Sequence, residues 1–168
     1  KQFGQSISNF DVIKGKLAQM VIKTYSADSM VYRTIGMIQD EIDKLDKSSD
    51  SYYLEMGEAM EKYAIESSMA KIYGSESMAY VLDEGIQTMG GYGFVEEYPL
   101  ASTYRSDRIN RIWEGSNEIN RQIIAGYMIK RALLDELPIR EKISEIDSFL
   151  SKSPSFNDSN PLSKEKYA

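Results

Sequence analysis

The sequence predicts an all-α protein, an antiparallel up-down four-helix bundle, and three observations lead to this fold class. Apolar residues recur at intervals of three and four over long stretches, and no alternating strand pattern is present. Glycine, proline and short polar turns fall between those stretches. At 168 residues the chain is long enough for one sizeable domain and too short for two ordinary ones.

The first helix is predicted from an apolar stripe that begins at Phe10 and ends at Leu45. It would be about 50 Å long at roughly 1.5 Å per residue, a length that suits a bundle. The stripe predicts core packing, and its members are Phe10, Ile13, Leu17, Met20, Thr24, Ala27, Val31, Ile35, Ile38, Ile42 and Leu45.

Two further helices are expected between a polar turn at 46–50 and a glycine-rich turn. The second helix should weaken or break at Gly74, so that Ser75 caps the third. The third helix should end at Gly90-Gly91-Tyr92-Gly93, for which a C-cap turn is the simplest interpretation.

A short helix is predicted from Pro99 to about Ser106, and the last long helix from Asn117 to about Leu134. The apolar residues expected to face inward on that last helix are Ile119, Ile123, Gly126, Ile129 and Leu133.

The predicted domain organisation has three parts. Residues 1–134 form the helical bundle, 135–150 form a short amphipathic helix, and 151–168 read as a linker or disordered tail. The helical turns of the middle part are expected beyond Pro138, up to about Leu150. The chain does not begin with Met, and its start is typical of the middle of a protein, so a fragment of a longer chain is expected.

The composition narrows the chemistry. The chain has no His and no Cys, which excludes Ser-His triads, thiolate nucleophiles, Cys/His zinc sites and disulfides, and no metal is expected. A general base must therefore be a carboxylate, a Lys or a Tyr. The net charge of −6 argues against binding nucleic acid through phosphate neutralisation. No apolar run reaches the roughly 20 residues that a membrane span needs.

The most informative segment runs from Arg108 to Ile119 and places Glu114 directly before a helix start. Ser116 is a good N-cap, and Glu118 then lies in the first turn, where the helix dipole favours negative charge. The helix end offers free backbone N–H groups to an electron-rich ligand. Taken alone, this segment is better explained as a solvated loop carboxylate before a capped helix.

Several motifs in the same order resemble the C-terminal domain of the acyl-CoA dehydrogenase family. They are Phe3-Gly4-Gln5-Ser6-Ile7, Gln87-Thr88-Met89-Gly90-Gly91-Tyr92-Gly93, Glu97-Tyr98-Pro99, Tyr104-Arg105-Ser106-Asp107-Arg108 and Trp113-Glu114-Gly115-Ser116. The resemblance covers about residues 1–134, and the first helix looks most like the very-long-chain branch. The acid of the family's Y-R-D-x-R is displaced by one place, to Asp107, which puts its usual ion pairing in question.

The resemblance implies an FAD-dependent enzyme that oxidises a fatty acyl-CoA to the trans-2-enoyl-CoA. In the family the residue matching Glu114 takes the α-proton, and its N–H binds the thioester carbonyl together with a ribityl hydroxyl of FAD. Trp113, Glu114 and Gly115 would then contact substrate. The residues implied to bind FAD are Phe3, Gln87, Gly90, Gly91, Ser116, Asn117 and Glu118. Core packing of Trp113 and helix capping by residues 116–118 are the alternative interpretations.

The resemblance also implies partners: a fatty acyl-CoA, an electron-transfer flavoprotein and further copies in a homodimer or homotetramer. A bacterial cytoplasmic enzyme is favoured over a mitochondrial matrix one, and the chain alone is expected to be inactive. Two other function classes stay open. One is an acyl-CoA oxidase that passes its electrons to oxygen. The other is a non-enzymatic relative that binds DNA or a partner protein, against which the acidic composition argues.

Overall fold

The computed structural model describes residues 2–151, and this part of the chain is helical, with no strand beyond an isolated bridge between Gln2 and Gln5. Short 3-10 helices lie at Ile7–Asn9 and Arg108–Arg111. The α-helices are α1 (Asp11–Ile42), α2 (Tyr52–Lys62), α3 (Ala64–Met89), α4 (Gly91–Phe94), α5 (Pro99–Asp107), α6 (Asn117–Leu133) and α7 (Ile139–Ser151). The predicted all-α bundle is confirmed. The predicted tail lies outside the described residues, apart from Ser151.

The chain divides into two compact units, with the boundary between Tyr127 and Met128, inside α6. In the second unit, α7 has the predicted bounds and carries exposed apolar residues that include Ile146 and Phe149. The domain limits at 134 and 150 remain predictions.

The first unit is organised around α3. Helices α1 and α3 run antiparallel, because Lys16 forms an ion pair with Glu84 while Lys23, further along α1, lies 4.9 Å from the ring centre of Tyr80. Half of the buried apolar side chains are alanines, which let the helix axes approach closely; the full set is Ala59, Ile65, Ala70, Ile72, Leu82 and Ala101.

The stripe predicted on α1 is only partly buried. Leu17, Val31 and Ile35 are exposed, so the prediction that they pack in the core is wrong for this unit. The inward line includes Met20, as predicted, and Thr34, which is not in the predicted stripe. The Thr34 hydroxyl donates to the Met30 carbonyl oxygen at 2.8 Å. Because this hydroxyl has a hydrogen-bond partner within its own helix, Thr34 can be buried.

The predicted helix break at Gly74 is wrong. Helix α3 passes through Gly74 without interruption, and the break lies at Tyr63, where φ is −107° and ψ is 26°. A glycine inside a helix costs only about 1 kcal/mol, which the packing of a 26-residue helix outweighs. Ser75 does not cap a helix; its hydroxyl donates to the Ile72 carbonyl oxygen at 3.1 Å.

Helices α5 and α6 have nearly the predicted bounds and lead into and out of the segment that contains Glu114. No helix in the described part of the chain combines the length and the apolar run that a bilayer span requires. Over the same residues, no group of three or more acidic, His or Cys side chains could hold a metal ion.

Candidate functional site

Glu114 lies on a sharp backbone elbow between the 3-10 helix at 108–111 and the start of α6. Its φ is +50°, and the φ of Gly115 is +84°, so two successive residues adopt left-handed conformations. For a residue other than glycine this region costs on the order of 1–3 kcal/mol unless the surroundings fix it. The Glu114 side chain is exposed at this elbow.

Two side-chain donors hold the elbow through hydrogen bonds to its backbone carbonyl oxygens. The Gly115 carbonyl oxygen accepts a hydrogen bond from Lys71 Nζ at 2.8 Å and another from Asn120 Nδ2 at 2.7 Å. Asn120 Nδ2 also lies 3.1 Å from the Ser116 carbonyl oxygen. Lys71 is on α3 and Asn120 is on α6, so the elbow is tied to both helices.

The first residue of α6 extends this network. Asn117 is 2% exposed, and its Oδ1 accepts from Lys71 Nζ at 2.8 Å. Its Nδ2 lies 3.0 Å from Ser75 Oγ and 3.2 Å from Glu76 Oε1. Every polar atom of this buried amide therefore has a partner, as burial requires.

The predicted inward face of α6 is consequently wrong at its start. Ile119 is exposed, and the buried positions are Asn117 and Asn120. The elbow presents carbonyl groups to the interior, and only donors such as amide side chains can satisfy them there. Ile129 and Leu133, also predicted to face inward, are exposed as well.

Capping at the start of α6 agrees with the sequence. Ser116 Oγ accepts from the Ile119 N–H at 3.4 Å, a long N-cap hydrogen bond, and Glu118 lies in the first turn. The pKa of Glu118 is lowered, first by a hydrogen bond from its own N–H and then by the Ser116 hydroxyl. The positive charges of Arg121 and Arg108 act in the same direction.

A cleft of about 330 Å³ opens beside the elbow. Glu114 and Trp113 form one side, and α3 contributes the other with Lys71, Gly74, Ser75 and Met78. Trp113 is 56% exposed, so it is a wall of this cleft and is not a buried core aromatic.

The displaced acid, Asp107, is connected to this cleft through Asn110, which lines it. Asp107 is buried, and its Oδ1 accepts a hydrogen bond from Asn110 Nδ2 at 3.1 Å. Asn110 Oδ1 in turn accepts from Trp113 Nε1 at 3.1 Å. Asp107 therefore orients the indole of Trp113 through one intervening amide.

The glycine-rich turn is a second candidate site, and its three glycines differ. Gly90 ends α3 with φ +61°, where a side chain would be strained. A Cβ on Gly93 would lie 2.8 Å from backbone atoms of Ile86. Gly91 is helical, and a Cβ there would have no atom within 4 Å. Gln87, one turn earlier, is exposed.

The structure gathers residues 113–118 at the elbow and leaves the other predicted residues elsewhere. Gly91 lines a separate cleft of about 530 Å³ together with Tyr92, Val95, Glu97 and Tyr98. Phe3 has φ +52° and is 94% exposed, with its ring edge-on to Phe10 at 6.2 Å.

Sequence reasoning missed the residues that support the elbow. Asn120 carried a usable signal, because it stands three positions after Asn117 and so shares its helix face. Lys71 carried none, since its partners lie more than forty positions away in the sequence.

A helical bundle that presents one carboxylate on a supported elbow, immediately before a long helix, defines the class of this domain. The family model described as "Acyl-CoA dehydrogenase, C-terminal domain" matches residues 1–129. The chain therefore belongs to the acyl-CoA dehydrogenase family, as the sequence motifs predicted.

Individual relatives agree with this membership. A probable acyl-CoA dehydrogenase of Bacillus subtilis is 38% identical over 168 residues, which is 99% of this chain and 28% of the relative. The very long-chain specific acyl-CoA dehydrogenase of Rattus norvegicus mitochondria is 39% identical over 124 residues, covering 74% of this chain and 16% of the relative.

A solved structure shows the same fold. The acyl-CoA dehydrogenase from Bacillus anthracis, crystallised in complex with FAD, is 42% identical, with a TM-score of 0.84. The match covers 90% of this chain and 26% of that structure. The chain thus spans about a quarter of the length of these Bacillus relatives.

Proposed function

We propose that this chain is the catalytic-base domain of an FAD-dependent acyl-CoA dehydrogenase that converts a fatty acyl-CoA into the trans-2-enoyl-CoA. The observation that carries the proposal is the elbow. It holds an exposed carboxylate, Glu114, on a strained backbone whose geometry is fixed by Lys71 and Asn120. Strain that is maintained by dedicated partners is characteristic of functional positions.

The residues present fit FAD at two places. The backbone at Gly91 faces open space that a Cβ would otherwise fill, so a phosphate group can approach it closely. At the elbow, Ser116 is half-buried and Glu118 is exposed, so one side of the start of α6 is open to a ligand. The Asn117 side chain is turned inward, so its contact with the cofactor would come from the backbone.

Glu114 acts as the general base. Its carboxylate accepts the α-hydrogen of the substrate as a proton, and the electron pair of that Cα–H bond forms the Cα=Cβ double bond as the β-hydrogen departs as a hydride. FAD, when bound, supplies the two-electron acceptor for that hydride. The Glu114 N–H donates to the thioester carbonyl oxygen and stabilises the charge that develops there.

The walls of the cleft suit a thioester and the start of an acyl chain. Trp113 and Met78 provide apolar surface in the cleft that Glu114 also lines, and exclusion of water by substrate would strengthen the electrostatic interactions of the base. Gly115 forms the elbow together with Glu114. A Cβ on Gly115 would lie only 3.0 Å from Asn120 Nδ2, so a side chain there would displace the amide that supports the site.

We further propose an electron-transfer flavoprotein as the electron acceptor and a homodimer or homotetramer as the working assembly. A bacterial cytoplasmic location is favoured, since the Bacillus subtilis relative matches 99% of the chain, whereas the mitochondrial relative matches 74%.

The decisive experiment is Glu114→Gln in the full-length enzyme. The amide keeps the size of the side chain but cannot accept the α-proton. We expect flavin content to be unchanged and anaerobic flavin reduction by acyl-CoA to slow by about 10²–10⁴-fold.

The matched control is Glu58→Gln, which removes one carboxylate from the exposed surface of α2. It should reduce its flavin at the rate of the unmodified enzyme. Bleaching of the Glu114→Gln flavin at a near-normal rate would show that the base lies outside this chain and would refute the proposal.

A further inference from the structure

We propose that Lys71 is a positioning residue that holds the Glu114 elbow in its reactive geometry. This inference rests on the proposed role of Glu114 as the base. It adds a residue from a different helix, more than forty positions earlier in the sequence, to the reaction that Glu114 performs.

The contacts of Lys71 are specific. Its ammonium donates to the Gly115 carbonyl oxygen and to Asn117 Oδ1, both at 2.8 Å. Asn120 Nδ2 donates to the same Gly115 oxygen at 2.7 Å. A carbonyl oxygen has two lone pairs, so these two donors satisfy it completely. The bond from the ammonium is charge-assisted and therefore the stronger of the two.

That carbonyl belongs to the residue directly after Glu114, so its two hydrogen bonds help to fix the elbow on which Glu114 lies. Glu114 and Gly115 have φ values of +50° and +84°, and the peptide after Gly115 connects them to the start of α6. Movement of this peptide would let the elbow, and Glu114 with it, shift relative to the start of α6. Lys71 and Asn120 oppose that movement because both donate hydrogen bonds to its oxygen, one from α3 and the other from α6.

Helix α3 gives Lys71 a rigid base. Lys71 lies in the interior of a continuous 26-residue helix and is half-buried. It lines the same cleft as Glu114 and Trp113, so a shift of this one side chain changes both the elbow and the wall of the site. Among the hydrogen bonds of the described residues, Lys71 supplies the charged side chain that reaches the elbow backbone.

The test uses Lys71→Met in the full-length holoenzyme, because Met keeps the length of the side chain and removes the donor. A misplaced base slows proton abstraction far more than it weakens substrate binding. We expect flavin reduction to slow about 10–100-fold, with the acyl-CoA dissociation constant unchanged within about threefold.

A second readout distinguishes positioning from a merely structural role. Substrate deuterated at the α-carbon should show a larger isotope effect on flavin reduction in Lys71→Met than in the unmodified enzyme. Loss of folded enzyme lowers the amount of active protein but leaves that ratio unchanged. Lys71→Arg restores a cationic donor and should recover most of the rate.

Lys14→Met is the matched control, since it removes an exposed lysine that pairs only locally with Asp11. It should leave the rate and the isotope effect unaltered. If Lys71→Met does not fold, Asn120→Ala removes the other donor to the same oxygen and should raise the isotope effect in the same way.

A Lys71→Met enzyme with an unaltered rate and isotope effect would overturn this inference. So would a rate lowered only in proportion to flavin content. Glu114→Gln, measured in parallel, separates the two proposals. If it bleaches normally, the proposed function fails; if it does not bleach while Lys71→Met reacts normally, only the positioning role fails.

Discussion

The Glu114 elbow and the glycine-rich turn after α3 are both irregular segments next to a helix end, yet the chain supports them very differently. At the elbow each unusual conformation has a partner within the chain, since Lys71 and Asn120 hold the Gly115 carbonyl group. At the turn, Gly91 has ordinary helical geometry and open space where its Cβ would be. Nothing in the described chain requires glycine at that position.

This difference separates two reasons for a glycine. Gly115 and Gly93 are required by the fold, one through a left-handed φ and the other through contact with the Ile86 backbone. If Gly91 is required, the reason must be a molecule outside the described chain, and we propose that this molecule is the FAD of a neighbouring subunit. Alanine at each of the three positions tests this division with the same added methyl group.

Gly93→Ala should have the largest effect on stability. Its Cβ would lie 2.8 Å from both the Cα and the carbonyl oxygen of Ile86, and backbone atoms cannot move aside as a flexible side chain can. We expect a loss of about 3 kcal/mol in the free energy of unfolding, the upper end for overpacking. Urea unfolding of the 168-residue chain, followed by circular dichroism, measures it. A loss under about 1 kcal/mol would contradict the close packing of α4 on α3.

Gly115→Ala should cost less, about 1–2 kcal/mol, because alanine is disfavoured at φ +84°. Its Cβ would also lie 3.0 Å from Asn120 Nδ2, a side-chain atom that can shift by a few tenths of an ångström. The same urea titration gives this value. In the full-length enzyme the displaced elbow should slow flavin reduction as well. An alanine variant as stable as the parent chain would show that the elbow relaxes freely.

Gly91→Ala should leave the stability of the chain within about 0.5 kcal/mol of the original, because the added methyl group meets nothing. In the full-length enzyme we expect about a tenfold weaker hold on FAD, and a weaker dimer with it. A ligand that bridges two subunits couples its binding to their association. Flavin content and sedimentation over a concentration series, with and without added FAD, measure both. If Gly91→Ala remains a tight oligomer with full flavin, the turn serves only as a helix cap and does not bind FAD.

The sequence predicted the helices well because helix spacing and turn residues are local signals. The helix from Pro99, the cap at Ser116 and the helix after Pro138 were all placed within about two residues. The break expected at Gly74 was wrong for a physical reason. Glycine propensity is a weak local preference, and the tertiary packing of α3 overrides it.

The candidate site was predicted only in part. Motifs identified Glu114 and its neighbours, but the partners that hold them are distant in sequence and polar. The spacing of apolar residues on α6 pointed to Ile119, whereas the elbow required donors at Asn117 and Asn120. Hydrogen bonds between helices have no periodic signature, so Lys71 could be recognised only from the folded chain.

The smallest expected effect is electrostatic and lies on the elbow side of the comparison. Glu76, which also contacts Asn117, forms an ion pair with Arg121 at 2.7 Å. This hydrogen bond from Arg121 is the main cause that lowers the pKa of Glu76 below its ordinary value of 4.5. A lowered folded-state pKa adds stability that is present above the unfolded pKa and is lost as the pH falls through the folded value.

Arg121→Met should therefore reduce the stability of the chain near pH 7 by only about 0.5 kcal/mol, since both side chains are roughly half exposed and the pair is screened. The difference between the variant and the parent should shrink as the pH falls below the ordinary value of about 4.5, and it should be lost as the pH passes through the lowered pKa of folded Glu76. Arg105→Met is the matched control, because it releases Glu96, a carboxylate whose pKa is also lowered by its arginine but which has no hydrogen bond to the elbow network. Both variants should lose stability with the same pH dependence, whereas only Arg121→Met should also alter flavin reduction, through Glu76 and Asn117. Equal effects of the two variants on flavin reduction would show that the network around Asn117 ends at the amide and does not extend to the surface ion pair.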